Sequence, residues 1–120
     1  VIPGSSFWND WTKYPFTTTN WGPRPLGVQV LSLAYKSGEA WNESGHENPE
    51  FDALLDEADG ILDADKRRAY SAKLQKMLQD SGAIIQPFWR DQAKHHTEAV
   101  KNAEVHQFRE MHLEKVWLDA

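Results

Sequence analysis

Between Asn48 and Gly82 two amphipathic helical patterns run back to back, and that stretch does most to limit what this chain can fold into. Asn48-Pro49 reads as a helix start, an N-cap acceptor followed by proline at the first helical position. Phe51, Leu54, Leu55, Ala58 and Leu62 then recur at the spacing of one helix face. Asp63 or Asp65 can cap a second helix whose inward stripe is Tyr70, Leu74, Met77 and Leu78, with Lys66, Arg67, Lys73 and Lys76 in water. Gly82 suits the left-handed residue that ends such a helix. The turn between the two is short, so they form an αα-hairpin. Each covers only part of the other's stripe, and the remaining apolar surface needs a sheet or another helix.

The run Ala83-Ile84-Ile85-Gln86-Pro87-Phe88-Trp89 is the expected cover, a short segment rich in strand formers and bounded by Gly82 and Arg90. Pro87 cannot donate to a ladder, so the strand ends there or lies at an edge. Upstream, Phe16 to Trp21 reads as a strand and Gly22-Pro23-Arg24-Pro25 as a rigid turn. Leu26 to Tyr35 is expected to be helical with Val30, Leu31 and Ala34 inward. Val105 to Phe108 and Lys115 to Leu118 read as short strands.

Composition narrows the function classes. A net charge of −5 argues against nucleic acid, which demands clustered Lys and Arg. The one basic triplet, Lys66-Arg67-Arg68, lies in a helical pattern and reads as a solvated face. No apolar run approaches the roughly 20 residues that span a bilayer. The chain has no cysteine, which removes thiolate nucleophiles, thiolate metal sites and disulfides. It opens on Val1-Ile2-Pro3, so its native N-terminus is expected to lie upstream. Six Trp residues in 120 suit either a heavy core or a ligand cleft. The cluster Phe7, Trp8, Trp11, Tyr14 and Phe16 is open to both readings, with packing favoured over stacking on a ligand.

The order of these pieces resembles the C-terminal region of the oligopeptide- and dipeptide-binding proteins of ABC importers, family 5 of the solute-binding proteins. A Trp-led turn, Trp21-Gly22-Pro23-Arg24-Pro25, closes the first strand. Asn48-Pro49-Glu50-Phe51-Asp52-Ala53-Leu54-Leu55-Asp56-Glu57-Ala58 is similar to that family's N-P-x-F-D-x-L-L-x-x-A stretch. Asp65 to Tyr70 resembles its D-x-x-x-R-x-x-Y helix start, and Leu78 to Pro87 its exit into a strand. The resemblance implies an α/β fold: the C-terminal fragment of a two-lobed periplasmic-binding-protein fold, with the helical hairpin packed on a mixed sheet. Residues 1–82 would belong to the second lobe, residues 83–90 would form a strand leading into the hinge, and residues 91–120 would return to the first lobe. The implied function is capture of a peptide or peptide-like solute and its delivery to ABC permease subunits. The implied location is periplasmic or extracytoplasmic, held at the membrane through the permease or a lipid anchor.

In that family the backbone around the Trp pairs with a bound peptide as an added strand would. Carried over, Asn20, Trp21 and Gly22 supply backbone contacts, and Trp89, near the implied hinge, can face the cleft. Many relatives place an Asp three residues after the Trp to hold an α-ammonium, and here that position is Arg24. Either the ligand presents a carboxylate or phosphate there, or the turn is shortened and Arg24-Pro25 matches a later acidic-Pro pair. The expectation is a binding protein and not an enzyme: Ser5-Ser6 lacks a neighbouring His, and Asp52, Asp56 and Glu57 sit on a helix whose wet face carries such charges by default. No metal or cofactor is expected. Nickel binders exist in this broad family, but the adjacent His95-His96 point apart, and His106 and His112 are assigned no carboxylate at ligand spacing. An isolated fragment would expose apolar surface and is expected to dimerise or exchange segments. The alternative is a small α/β protein-interaction module with no transport role.

Overall fold

The computed structural model describes residues 2–119. Helix α1 (Gly4–Asp10) leads through a 3-10 turn (Trp11–Lys13) into an extended segment. Helices α2 (Gly27–Ala34), α3 (Pro49–Asp59) and α4 (Ala64–Ser81) follow, and strands β1 (Val100–Lys101) and β2 (Trp117–Leu118) come last. These residues fall into two compact units, one running to Ile85 and the other from Gln86. The division falls inside the segment expected to form the strand toward a hinge.

The hairpin begins and ends as its residues dictate. The Asn48 side chain accepts from the backbone N–H groups of Glu50 (3.0 Å) and Phe51 (3.2 Å), two donors that the first turn of α3 leaves without helical partners. Of the two possible caps for α4, Asp63 serves: its carboxylate accepts from Lys66 N–H at 2.8 Å. Gly82 closes α4 with φ +66° and ψ 11°, the left-handed geometry that a Cβ disfavours.

Phe51, Leu55 and Ala58 of α3 are fully buried against Leu74 and Leu78 of α4. The opposite side of this seam is closed by Val28, Ala34 and Tyr35, from α2 and its end, with Trp21, Leu26, Leu31 and Ile84 packed around the rim. The hairpin therefore rests on a third helix, where the sequence reading expects a mixed sheet. Val28 takes the core place expected of Val30, because the inward line of this short helix runs Val28, Leu31, Ala34. Leu62 is 95% exposed: α3 stops at Asp59, so the helical spacing no longer applies three residues later. Arg67, expected in water, is half-buried and donates to the Ile61 carbonyl across the turn between α3 and α4.

Strand formation departs most from the sequence expectations. Phe16–Trp21 and Ala83–Trp89 join no ladder, and Val105–Phe108 forms part of a turn. Only the end of the expected strand Lys115–Leu118 pairs, after a 3-10 turn (Leu113–Lys115). Its antiparallel partner is β1, with Val100 opposite Leu118 and Lys101 opposite Trp117. Side-chain pattern measures suitability for a pleated surface, but a ladder also needs a facing backbone. Phe16, Ile85, Phe88 and Trp89 accordingly stand 65–86% exposed. Among the described residues no helix is long and apolar enough to cross a membrane.

The seam makes a direct prediction for stability. Leu74→Ala, which empties a fully buried site, should cost roughly 2–5 kcal/mol in urea denaturation. Gln79→Ala, on the exposed face of the same helix, should stay within about 0.5 kcal/mol. Equal effects would show that α4 presents a different face to α3.

Candidate functional site

The first unit gathers its polar and aromatic groups around Glu43. This residue sits in the loop after α2, and the loop is held to α3 by a series of hydrogen bonds. Asn42 Nδ2 donates to the carbonyls of Lys36 (3.2 Å) and His46 (2.7 Å). Ser37 N–H donates to Asp52 Oδ1 (3.1 Å), Asn48 N–H to Ser37 Oγ (3.2 Å), and Lys36 pairs with Asp56. So anchored, the loop turns the Glu43 carboxylate toward the extended segment that precedes α2. Its Oε1 accepts from Trp21 Nε1 (2.9 Å) and from the Tyr35 hydroxyl (3.3 Å), and its Oε2 accepts from Thr19 Oγ1.

All three donors are neutral, so the carboxylate's charge is held by hydrogen bonds to uncharged groups. Tyr35 is buried, and its phenol pKa is pushed well above the usual value. Burial is the main cause, followed by the nearby Glu43 charge and by the hydrogen bond to it. The phenol therefore keeps its proton and goes on donating to Glu43.

Around this centre runs a line of aromatic contacts. Phe7 meets Trp8 at 5.0 Å between ring centroids, Trp8 meets Trp11 at 5.7 Å, Trp11 meets Trp21 at 6.4 Å, and Trp21 meets Trp41 at 6.0 Å. Tyr14 stacks on Phe7 at 6.2 Å. These rings pack on one another, yet none of Phe7, Trp8, Trp11, Tyr14 and Phe16 is buried, and Trp8 is 59% exposed. They form an aromatic surface beside the core.

Four of the five residues singled out from sequence share this place. Trp21 is half-buried and fixed through its indole, Asn20 is exposed and Gly22 is half-buried. Among the described residues, no backbone group of Asn20, Trp21 or Gly22 pairs with another backbone group. The main chain on either side of an anchored ring is thus open to an outside partner. Arg24 is exposed, and its guanidinium contacts only the Pro23 carbonyl at 3.4 Å; among the described residues no carboxylate pairs with it. Trp89, the fifth, lies in the second unit and is 86% exposed. Glu43 escapes the sequence reading because it stands 22 residues from Trp21 in a loop with no periodicity and no motif.

The second unit holds another cluster. His106, Glu110 and His112 bring one ligand-type atom each within 4.8 Å of one another. The sequence reading gives these histidines no carboxylate at ligand spacing, whereas Glu110, four after His106 and two before His112, is one. Glu114 lies beside His112, and its carboxyl is held below the usual range, first by a hydrogen bond from its own backbone and then by the His112 ring. Comparison with known proteins finds no matching family, no matching curated protein and no matching solved structure.

The Glu43 network predicts two measurable effects. Glu43→Ala leaves three partly buried donors without an acceptor and should lower stability by roughly 1–3 kcal/mol; Glu43→Gln, which keeps one acceptor oxygen, should cost less. Folding also raises the Tyr35 pKa, so the native state holds that proton more tightly than the unfolded chain does. The stability this contributes is complete below about pH 10, the unfolded phenol's pKa, and falls as the pH rises above it. Denaturation at stepped pH should show that loss, and Tyr35→Phe should remove this part of it.

Proposed function

We propose that the chain forms part of the second lobe of an extracytoplasmic solute-binding protein of the peptide-binding type, which captures a peptide or peptide-like solute for an ABC importer. The observation that carries this reading is the open backbone of Asn20–Gly22 beside the fixed Trp21 indole. A bound peptide adds a strand wherever unpaired N–H and C=O groups are held in line, and it gains main-chain hydrogen bonds without sequence-specific pockets. The Trp21–Glu43 bond, braced by Thr19 and Tyr35, holds that line in place before the solute arrives, which lowers the entropy cost of binding. The exposed apolar side chains of Phe16, Ile85, Phe88 and Trp89 suit segments completed by sheet partners elsewhere in a two-lobed protein. In this reading the protein works outside the cytoplasm, at the membrane surface, and passes its solute to the permease.

Arg24 sets the charge preference. It is exposed and without a carboxylate partner among the described residues, within the Trp-led turn, so a carboxylate or phosphate of the solute can meet its planar fork in two parallel hydrogen bonds. Mass spectrometry of the solute that co-purifies with the protein carrying this chain should find a peptide-like molecule with an anionic group. Calorimetric titration with that molecule should show Arg24→Ala weakening binding by roughly 1.5–3 kcal/mol. Arg24→Lys should recover only part of the loss. Unchanged affinity in Arg24→Ala would remove the charge assignment, and a preparation that carries and binds no such solute would remove the transport reading itself.

A further inference from the structure

Two chain reversals in the second unit build an arrangement that the solute reading does not use. The first closes with Arg109 N–H donating to the His106 carbonyl at 2.9 Å, and Arg109 itself takes a left-handed φ of +62°. Such a conformation is unfavourable for a residue with a side chain, and it persists only where its surroundings enforce it. The second reversal is the 3-10 turn at Leu113–Lys115, with Lys115 N–H donating to the His112 carbonyl at 2.9 Å. Between them they fold Glu110 back toward both histidines, whose rings meet edge to face at 5.1 Å.

The hydrogen bonds show which ring nitrogens can offer a lone pair to a cation. His112 Nδ1 lies 3.0 Å from Glu114 Oε1, a carboxylate that can only accept, so a ring that carries a single proton on Nδ1 satisfies that bond and leaves Nε2 as a lone pair. That Nε2 is 3.6 Å from Glu110 Oε2. His106 Nδ1 accepts from Phe108 N–H at 3.3 Å, so it too presents a lone pair, and it lies 3.9 Å from the same Glu110 oxygen. In that tautomer two imidazole lone pairs and one carboxylate oxygen converge with no donor among them. A cation between them satisfies all three. Ligand atoms around a tetrahedral zinc ion stand about 3.4 Å apart, as bonds of 2.0–2.1 Å require, so the two gaps to Glu110 need to close by up to about half an ångström, and the two rings, whose ligand atoms lie within 4.8 Å of each other, must turn toward the ion. Closing them gives up one long hydrogen bond, from Phe108.

We propose that His106, Glu110 and His112 form a binding site for a single divalent ion of the zinc class. Two imidazoles and one carboxylate favour such borderline metals over calcium or magnesium, which take oxygen ligands. Glu114 is a positioning residue: it holds the His112 tautomer, as carboxylates commonly do behind metal-bound histidines. Three protein ligands leave a fourth position. An open depression of about 350 Å³ beside His106 and Glu110, lined also by Arg90, Asp91, Glu104 and Arg109, offers room for water next to the site.

The test is titration of the full chain with zinc chloride by calorimetry, with cobalt(II) as a spectroscopic substitute whose visible absorption reports four-coordination. One ion should bind per chain. His106→Ala and His112→Ala should each weaken binding by roughly 100-fold or more, and Glu114→Gln by roughly tenfold, the lower end for residues that orient a ligand. A His95→Ala/His96→Ala double variant should bind as the unchanged chain does. Nitrogen NMR of the unchanged chain guards against a variant that fails to fold: zinc should shift His106 Nδ1 and His112 Nε2 and leave His95 and His96 in place. No saturable binding by the unchanged chain, affinity unaltered in a folded His112→Ala, or loss confined to the His95/His96 variant would each overturn the site and leave the cluster as a set of surface ion pairs.

Discussion

Phe51 is the side chain on which the first unit turns. It occupies the first turn of α3, is fully buried, and belongs to the core cluster that α3 shares with α2 and α4. The edge-on ring of His46, 5.3 Å away, covers it from the loop that precedes α3. Burying a side chain of this size contributes about 1.5–3 kcal/mol, a large share of what holds so small a unit together. Leu55 and Ala58, both fully buried, continue the same line. Helix α3 is therefore the element that α2 and α4 both need, and neither has another partner of comparable size.

The polar architecture follows from where α3 begins. Asn48 caps the helix with its side chain and donates its own N–H to Ser37. Asp52, one turn in, receives the Ser37 N–H. These bonds tie both ends of the loop between α2 and α3 to the helix that buries Phe51. Glu43 is carried on that loop, and Glu43 in turn holds Trp21. The open backbone at Asn20–Gly22 is thus positioned by a hydrophobic contact elsewhere, through a sequence of hydrogen bonds in which each link fixes the next. Surface ion pairs such as Arg68 with Asp65 and Lys76 with Asp80 stand outside this sequence, and exposed pairs of that kind are worth little.

The two proposed sites use carboxylates in opposite ways. Glu43 is surrounded by donors, so its charge is already satisfied and it serves as a fixed point for an indole. Glu110 lies 3.6–3.9 Å from a ring nitrogen of each of two histidines, the set that the proposed cation would join. The difference comes from neighbours and not from residue type: Trp, Thr and Tyr in one case, two histidines in the other.

Local features of the sequence determined the helical hairpin. Asn48-Pro49, Asp63 and Gly82 act within a few residues of themselves, and a cap or a left-handed stop works wherever the chain places it. The buried stripe Phe51, Leu55, Ala58, Leu74 and Leu78 was equally legible, since a helix converts spacing directly into a face. The strands were not, because Phe16–Trp21 and Ala83–Trp89 have the composition of strands while pairing depends on a distant backbone. The same limit hid Glu43, whose partners lie 8, 22 and 24 residues away. It also hid the convergence of His106, Glu110 and His112, which are close in sequence but come together through the two chain reversals around them. Spacing along the chain decides helices and their ends; which polar groups meet is decided by loops, whose course depends on what the core has already fixed.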